Sequence, residues 1–153
     1  MRSIENTLTL WVSGLLSPGE VVDWANAEIA RVDQPTEDLF NLASYGPERC
    51  LKWSEYEFPP RPSTLTYIQQ FALRALATSL ESRESTFRFA DWASRNCFGE
   101  DLSDPMVSMG YQLDQFLDDC QDKDGALAFV REELPGLLPQ CKELVWPFLD
   151  EAA

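Results

Sequence analysis

The sequence predicts an all-α fold, a compact single-domain helical bundle of about six or seven helices spanning 1–153, with one irregular proline-rich connection at about 44–62. Three observations lead there. Apolar residues recur at steps of three and four through most of the chain, no segment alternates with period two over a useful length, and Ser, Thr, Asp, Pro and Gly stand at helix-boundary positions. A chain of 153 residues that is 44% hydrophobic, with five Trp and nine Phe, has enough apolar matter for a packed core.

The elements follow in order. Ile4, Leu8, Trp11 and Leu15 share one face of a first helix. The apolar run Leu8 to Leu16 does not read as a secretory leader: Glu5 and Asn6 spoil the positive start, Ser13 and Gly14 interrupt the run, and no small-residue cleavage site follows. Ser17-Pro18-Gly19-Glu20 is a capping box, opening a helix to about Val32 with Val22, Ala25, Ile29 and Val32 on one side. Pro35 closes it, and Thr36 caps a shorter stretch from Glu37 to about Ala43. From Ser44 to Pro62, Gly46 and Pro47 at one end and Pro59, Pro60 and Pro62 at the other argue against a long helix. The middle of this segment reads as a short strand or a helical turn, and its Trp53, Tyr56 and Phe58 either anchor the connector or present an aromatic surface.

Ser63 is expected to cap a central helix from Thr64 to Ser82, whose broad apolar face includes Leu65, Ile68, Phe71, Ala72 and Leu76. A further helix covers Thr86 to Cys97 and ends at Gly99, with Phe89, Trp92 and Ala93 inward. The last third holds helices at about Asp104 to Gln121, Asp124 to Leu134 and Leu137 to Leu149, the last two separated by Pro135 and Gly136. Cys50, Cys97, Cys120 and Cys141 form no C-x-x-C pair and are expected to be reduced, with Cys120 and Cys141 on apolar helix faces.

Composition narrows function. The chain has no His, which removes Ser-His-Asp and Cys-His catalysis and His-ligated zinc. Gly-rich phosphate loops and nucleophile-elbow motifs are also missing, so no catalytic residue and no cofactor is expected and an enzyme is the least supported class. A net charge of −14 disfavours direct nucleic-acid binding, and no run approaches the length of a membrane span, so a cytoplasmic protein is expected.

The charge is uneven. Residues 100–153 carry 13 acids and three bases. On the helix expected at Asp104 to Gln121, Met106, Met109, Leu113, Phe116, Leu117 and Cys120 project in one sector, while Asp114, Asp118 and Asp122 climb the other side with Asp119 beside them. Like charges at that spacing disfavour an isolated helix by ~0.2–0.5 kcal/mol per pair. Such a face is either solvated surface or a contact for a cationic partner. Aligned to a calcium loop through Gly125, the segment puts Cys120 at the first position and Arg131 where the bidentate acid belongs, so no metal site is expected.

The segment L-L-S-x-x-E-V-V-x-W-A-x-x-x-I at Leu15 to Ile29 and its continuation from Pro35 to Leu42, with the size and charge of the chain, resemble bacterial immunity proteins of polymorphic-toxin and contact-dependent growth-inhibition systems. The resemblance covers about a quarter of the chain. It implies an intracellular inhibitor of one cognate toxin domain, often a basic nuclease. The candidate contacts are Asp114, Asp118, Asp119 and Asp122 with Tyr111 beside them, and Trp53 and Tyr56 on the irregular segment. An acidic nucleic-acid mimic that inhibits a defence complex, or a helical adaptor binding through an apolar groove, are the alternatives.

Overall fold

The computed structural model describes residues 2–149, and within them every regular element is helical; of the expected 1–153 domain, Met1 and residues 150–153 lie outside the described residues. The chain divides into two compact units, 1–64 with 146–153 and 65–145.

In the first unit, α1 (Ile4–Val12), α2 (Pro18–Arg31), α3 (Glu37–Tyr45) and α4 (Pro47–Lys52) surround Leu8, Val21, Ala25, Leu39, Leu42, Cys50 and Phe58. The caps are local and act as the residue types dictate. Ser17 Oγ accepts the Glu20 N–H at 3.1 Å while Glu20 returns a carboxylate oxygen to the Ser17 N–H at 3.0 Å, and the Thr36 hydroxyl accepts the Leu39 N–H at 3.3 Å. Gly46, at φ 81°, turns α3 directly into α4, so part of the segment expected to be irregular is helical.

The rest of that connector has backbone carbonyls that no helix satisfies. Arg61 gathers them: its guanidinium donates to the carbonyls of Phe58 at 2.6 Å, Pro60 at 2.9 Å and Trp53 at 2.9 Å. Ser63 does not cap a helix. Its N–H donates to the Thr9 hydroxyl at 2.8 Å, a pairing with a residue 54 positions away. Near the end of the described chain, Asn6 and Arg2 donate to the carbonyls of Pro147 and Leu149 at 3.4 and 3.0 Å.

In the second unit, α5 (Tyr67–Ala77) starts three residues later than expected because Thr66 with Gln69 forms the capping box, and it ends five residues earlier because Ser82 caps α6 (Arg83–Asn96). α6 packs on α7 (Pro105–Asp114). Tyr67 is the bolt between them: its buried hydroxyl donates to the carbonyls of Ala93 and Met106, 3.4 and 3.3 Å away. Only glycine fits opposite it, since a Cβ on Gly110 would stand 2.7 Å from that hydroxyl and 2.8 Å from the Ala93 carbonyl oxygen.

Two expectations fail for physical reasons. Pro135 and Gly136 do not divide a helix; α8 (Lys123–Leu149) runs through them and through Pro139 and Pro147. Pro135, Pro139 and Pro147 are exposed, as are Arg131, Pro135 and Glu143, whose carbonyls the three rings leave without helical donors, so those carbonyls lie on the wet face. The opposite face buries Leu127, Val130, Leu134, Cys141 and Val145 at heptad-like steps, and this burial outweighs the proline penalty. The helix expected at Asp104 to Gln121 is regular only to Asp114, and Gln115–Asp119 form a π turn in which the Cys120 N–H donates five residues back to the Gln115 carbonyl at 2.9 Å. One extra residue in the turn rotates everything after it by ~100°. Cys120 is therefore exposed instead of lying on the apolar face, while Cys50, Cys97 and Cys141 are buried, all four as free thiols. No helix of the described residues is long and apolar enough to cross a membrane.

Candidate functional site

The π turn shapes one wall of a groove of about 630 Å³ in the second unit. Opposite it is the face of α6 bearing Phe87, Asp91, Ser94 and Arg95, which Phe98 extends past the helix end. The first wall is Asp114, Leu117, Asp118 and Gln121, and Lys123 enters from the start of α8. Gln121 takes φ 48°, a left-handed conformation uncommon for a residue with a Cβ, and this reversal brings α8 back against the turn.

The charges of the groove are not balanced. Arg95 is already committed, its Nε donating to Asp91 Oδ1 at 2.9 Å. The Lys123 ammonium sits 4.0 Å above the Phe87 ring centre. The carboxylates of Asp114 and Asp118 make no hydrogen bond or ion pair with any described residue. Partial burial, and after it the charges of Asp118 and Asp119, push the Asp114 carboxyl above the usual aspartate value. Next to these acids Phe98 is 53% exposed, held by an edge-on contact to the half-buried Tyr111 ring at 5.2 Å. Two carboxylates without a hydrogen bond or ion pair, beside an open aromatic ring, can accept a compact or planar cation, an ammonium or a guanidinium.

No family model, curated protein or solved structure matches this chain.

Among the residues expected to act, the structure gathers Asp114 and Asp118 in one groove, puts Asp119 near enough to raise Asp114, and makes Tyr111 the support of Phe98. Asp122 is not the next rung of that stripe. Its carboxylate caps α8, accepting the Gly125 N–H at 2.9 Å, and a Cβ on Gly125 would collide with that carboxylate. Trp53 and Tyr56 belong to the first unit. Trp53 is half-buried against the core, edge-on to Tyr45 at 5.0 Å, and Tyr56 is 99% exposed. The connector is thus anchored by Trp53 and Phe58, while Tyr56 is left in solvent.

Phe87, Asp91, Arg95 and Phe98 were not singled out by sequence reasoning. The signal for them was present: two aromatics eleven positions apart, with Asp91 and Arg95 at helical steps between them, make a second face on a helix whose core stripe is Phe89 and Ala93. Among the described residues no three or more His, Cys, Asp or Glu side chains converge as a metal site.

Proposed function

We propose that this chain is an inhibitor that binds and neutralises a cognate bacterial toxin domain with a basic surface, in the manner of the immunity proteins its first quarter resembles. The observation that carries the reading is the groove of Asp114 and Asp118, whose carboxylates lack partners while both bases in the same groove are engaged. A nuclease must attract phosphate, so its cleft is positive and accepts a carboxylate surface in place of substrate. Binding then blocks the toxin by occupancy, without turnover.

The net charge of −14 supports the same mechanism at long range, steering association toward ~10⁸–10⁹ M⁻¹s⁻¹ at low salt. Four free thiols suit the reducing cytoplasm, where such an inhibitor meets its toxin. The groove also favours protein over nucleic-acid mimicry, because Phe98 and Leu117 add apolar contact that a phosphate mimic does not need.

The test is co-expression with the product of the adjacent gene. The chain should co-purify with that protein and restore growth of cells producing it, and the D114N/D118N/D119N variant, folded by circular dichroism, should protect less well. Full protection by the variant would remove the groove from the interface, and failure of the parent chain to bind or protect would remove the toxin reading itself.

A further inference from the structure

The groove of the second unit has two aromatic stations, and only one is taken. At the first, the Lys123 ammonium stands 4.0 Å above the Phe87 ring centre, so the groove already seats a cation on an aromatic face. At the second, the Phe98 ring is 53% exposed and has no cation over it among the described residues. Tyr111 pins that ring, with centroids 5.2 Å apart and planes at 80°. Edge-on packing uses at most one face of a ring, so Phe98 is held in place with a face still open.

The unpaired acids belong to this second station. Asp114 lies three residues after Tyr111 on the same helix, one turn from the ring that supports Phe98. Burial, and with it the Asp114 charge, pushes up the thiol of Cys97, the residue just before Phe98. Asp118 continues along the same wall. Four residues overshoot an α-helical turn by ~40°, and the wider π turn at Gln115–Asp119 reduces that offset, so the two carboxylates follow one another along the groove.

Carboxylates alone attract any cation, and Phe98 selects among them. A guanidinium laid flat on a ring keeps all five N–H donors in its plane, free for carboxylates at its edge. An ammonium is a strongly hydrated point charge without such a plane, and the one in this groove, on Lys123, pairs with neither Asp114 nor Asp118. A groove of about 630 Å³ lies within the ~300–1,000 Å³ of ligand sites and has room for a whole side chain.

We propose that the Phe98, Asp114 and Asp118 side of this groove is a pocket for one arginine side chain of a partner protein, its guanidinium face on Phe98 and its edge on the two carboxylates. The inference rests on the toxin reading above for the source of that arginine. A domain that grips phosphate displays arginine forks, and the same fork accepts a carboxylate.

The experiment titrates the full chain with N-acetylarginine amide and, separately, with N-acetyllysine amide at constant ionic strength, following the Phe98, Asp114 and Asp118 amide resonances by NMR. Both probes carry one positive charge, so plain electrostatic attraction treats them alike. A saturable shift is expected with the arginine probe at about 1–100 mM, and several times weaker binding with the lysine probe. F98L keeps apolar bulk without the ring and should weaken arginine binding about two- to fivefold, the size of an exposed cation–π contact. D114N/D118N should abolish saturation, with resonances outside the groove unchanged in both variants. The proposal is overturned by no saturable shift, by equal affinity for the two probes, or by F98L binding arginine as tightly as the parent. No arginine binding by a chain that still protects cells strikes the pocket alone. Arginine binding by a chain that neither co-purifies with nor protects against the product of the adjacent gene strikes the toxin reading and leaves the pocket standing.

Discussion

Gly110→Ala adds one methyl group where the packing of α6, α7 and Tyr67 leaves no room for it. The new Cβ would stand 2.6 Å from the Cys97 Cβ, 2.7 Å from the Tyr67 hydroxyl and 2.8 Å from the Ala93 carbonyl oxygen. None of these is the free end of a flexible side chain, because the Tyr67 hydroxyl is itself tied to two carbonyls. Overpacking costs about 1–3 kcal/mol. Displacing the hydroxyl strands a buried donor for about 1–3 kcal/mol more, while alanine returns about 1 kcal/mol of helix propensity. The net expectation is a loss of about 3 kcal/mol. Gly136→Ala is the internal control: it lies in the same kind of element, with nothing within 4 Å of the added methyl, and should gain about 0.5–1 kcal/mol. Urea unfolding followed by far-UV circular dichroism reads both. Combining Gly110→Ala with Tyr67→Phe should recover part of the loss, since the clashing oxygen is gone. A Gly110→Ala protein as stable as the parent, or a Gly136→Ala loss of similar size, would refute the close approach of α6 and α7.

Asp114→Asn should stabilise at neutral pH by about 0.5 kcal/mol, the size of one like-charge pair. Because the folded-state pKa is raised, ionised Asp114 destabilises above it and that penalty disappears as pH falls through the carboxylate range, so the Asn advantage in melting temperature should vanish by about pH 3; a gain that persists there would show a non-electrostatic cause. Arg61→Met removes the donor to three connector carbonyls and should cost about 3 kcal/mol and speed protease cleavage between Trp53 and Ser63; unchanged cleavage would show that the connector is held by its aromatics alone. Titration of the native protein with an aromatic disulfide at pH 8 should find Cys120 alone reacting fast. Cys50 and Cys97 are buried with thiols pushed up, and burial lifts the Cys141 thiol to about 11, so a second fast thiol would contradict their burial.

What was legible in the sequence was local. Ser17 with Glu20, and Thr36, were readable as caps because each satisfies backbone N–H groups within three residues of itself. Ser63 and Thr66 are both acceptable caps by that rule, but only Thr66 has a Gln three residues on to complete a capping box, while the Ser63 N–H goes to the distant Thr9 hydroxyl, a pairing no local pattern exposes. Pro135 reads as a helix end, yet it continues because the carbonyls freed by it and by Pro139 lie on the exposed side of α8. The stripe through Asp114, Asp118 and Asp122 assumed 100° per residue to its end; the π turn broke that assumption and turned Asp122 into a cap. The groove itself was hidden because its other wall is α6, and which helix faces which is settled by close approach at Gly110, not by periodicity.

The proposed contact of Asp114, Asp118 and Asp119 with a basic toxin domain is to be read from association kinetics with the purified product of the adjacent gene across a series of salt concentrations. The parent chain should associate fast at low salt with a rate that falls steeply as salt rises, and D114N/D118N/D119N should associate more slowly with a flatter dependence and dissociate faster if the carboxylates are buried in the complex. Identical association rates, salt slopes and dissociation rates for the two proteins would contradict the claim and leave the acidic groove as solvated surface.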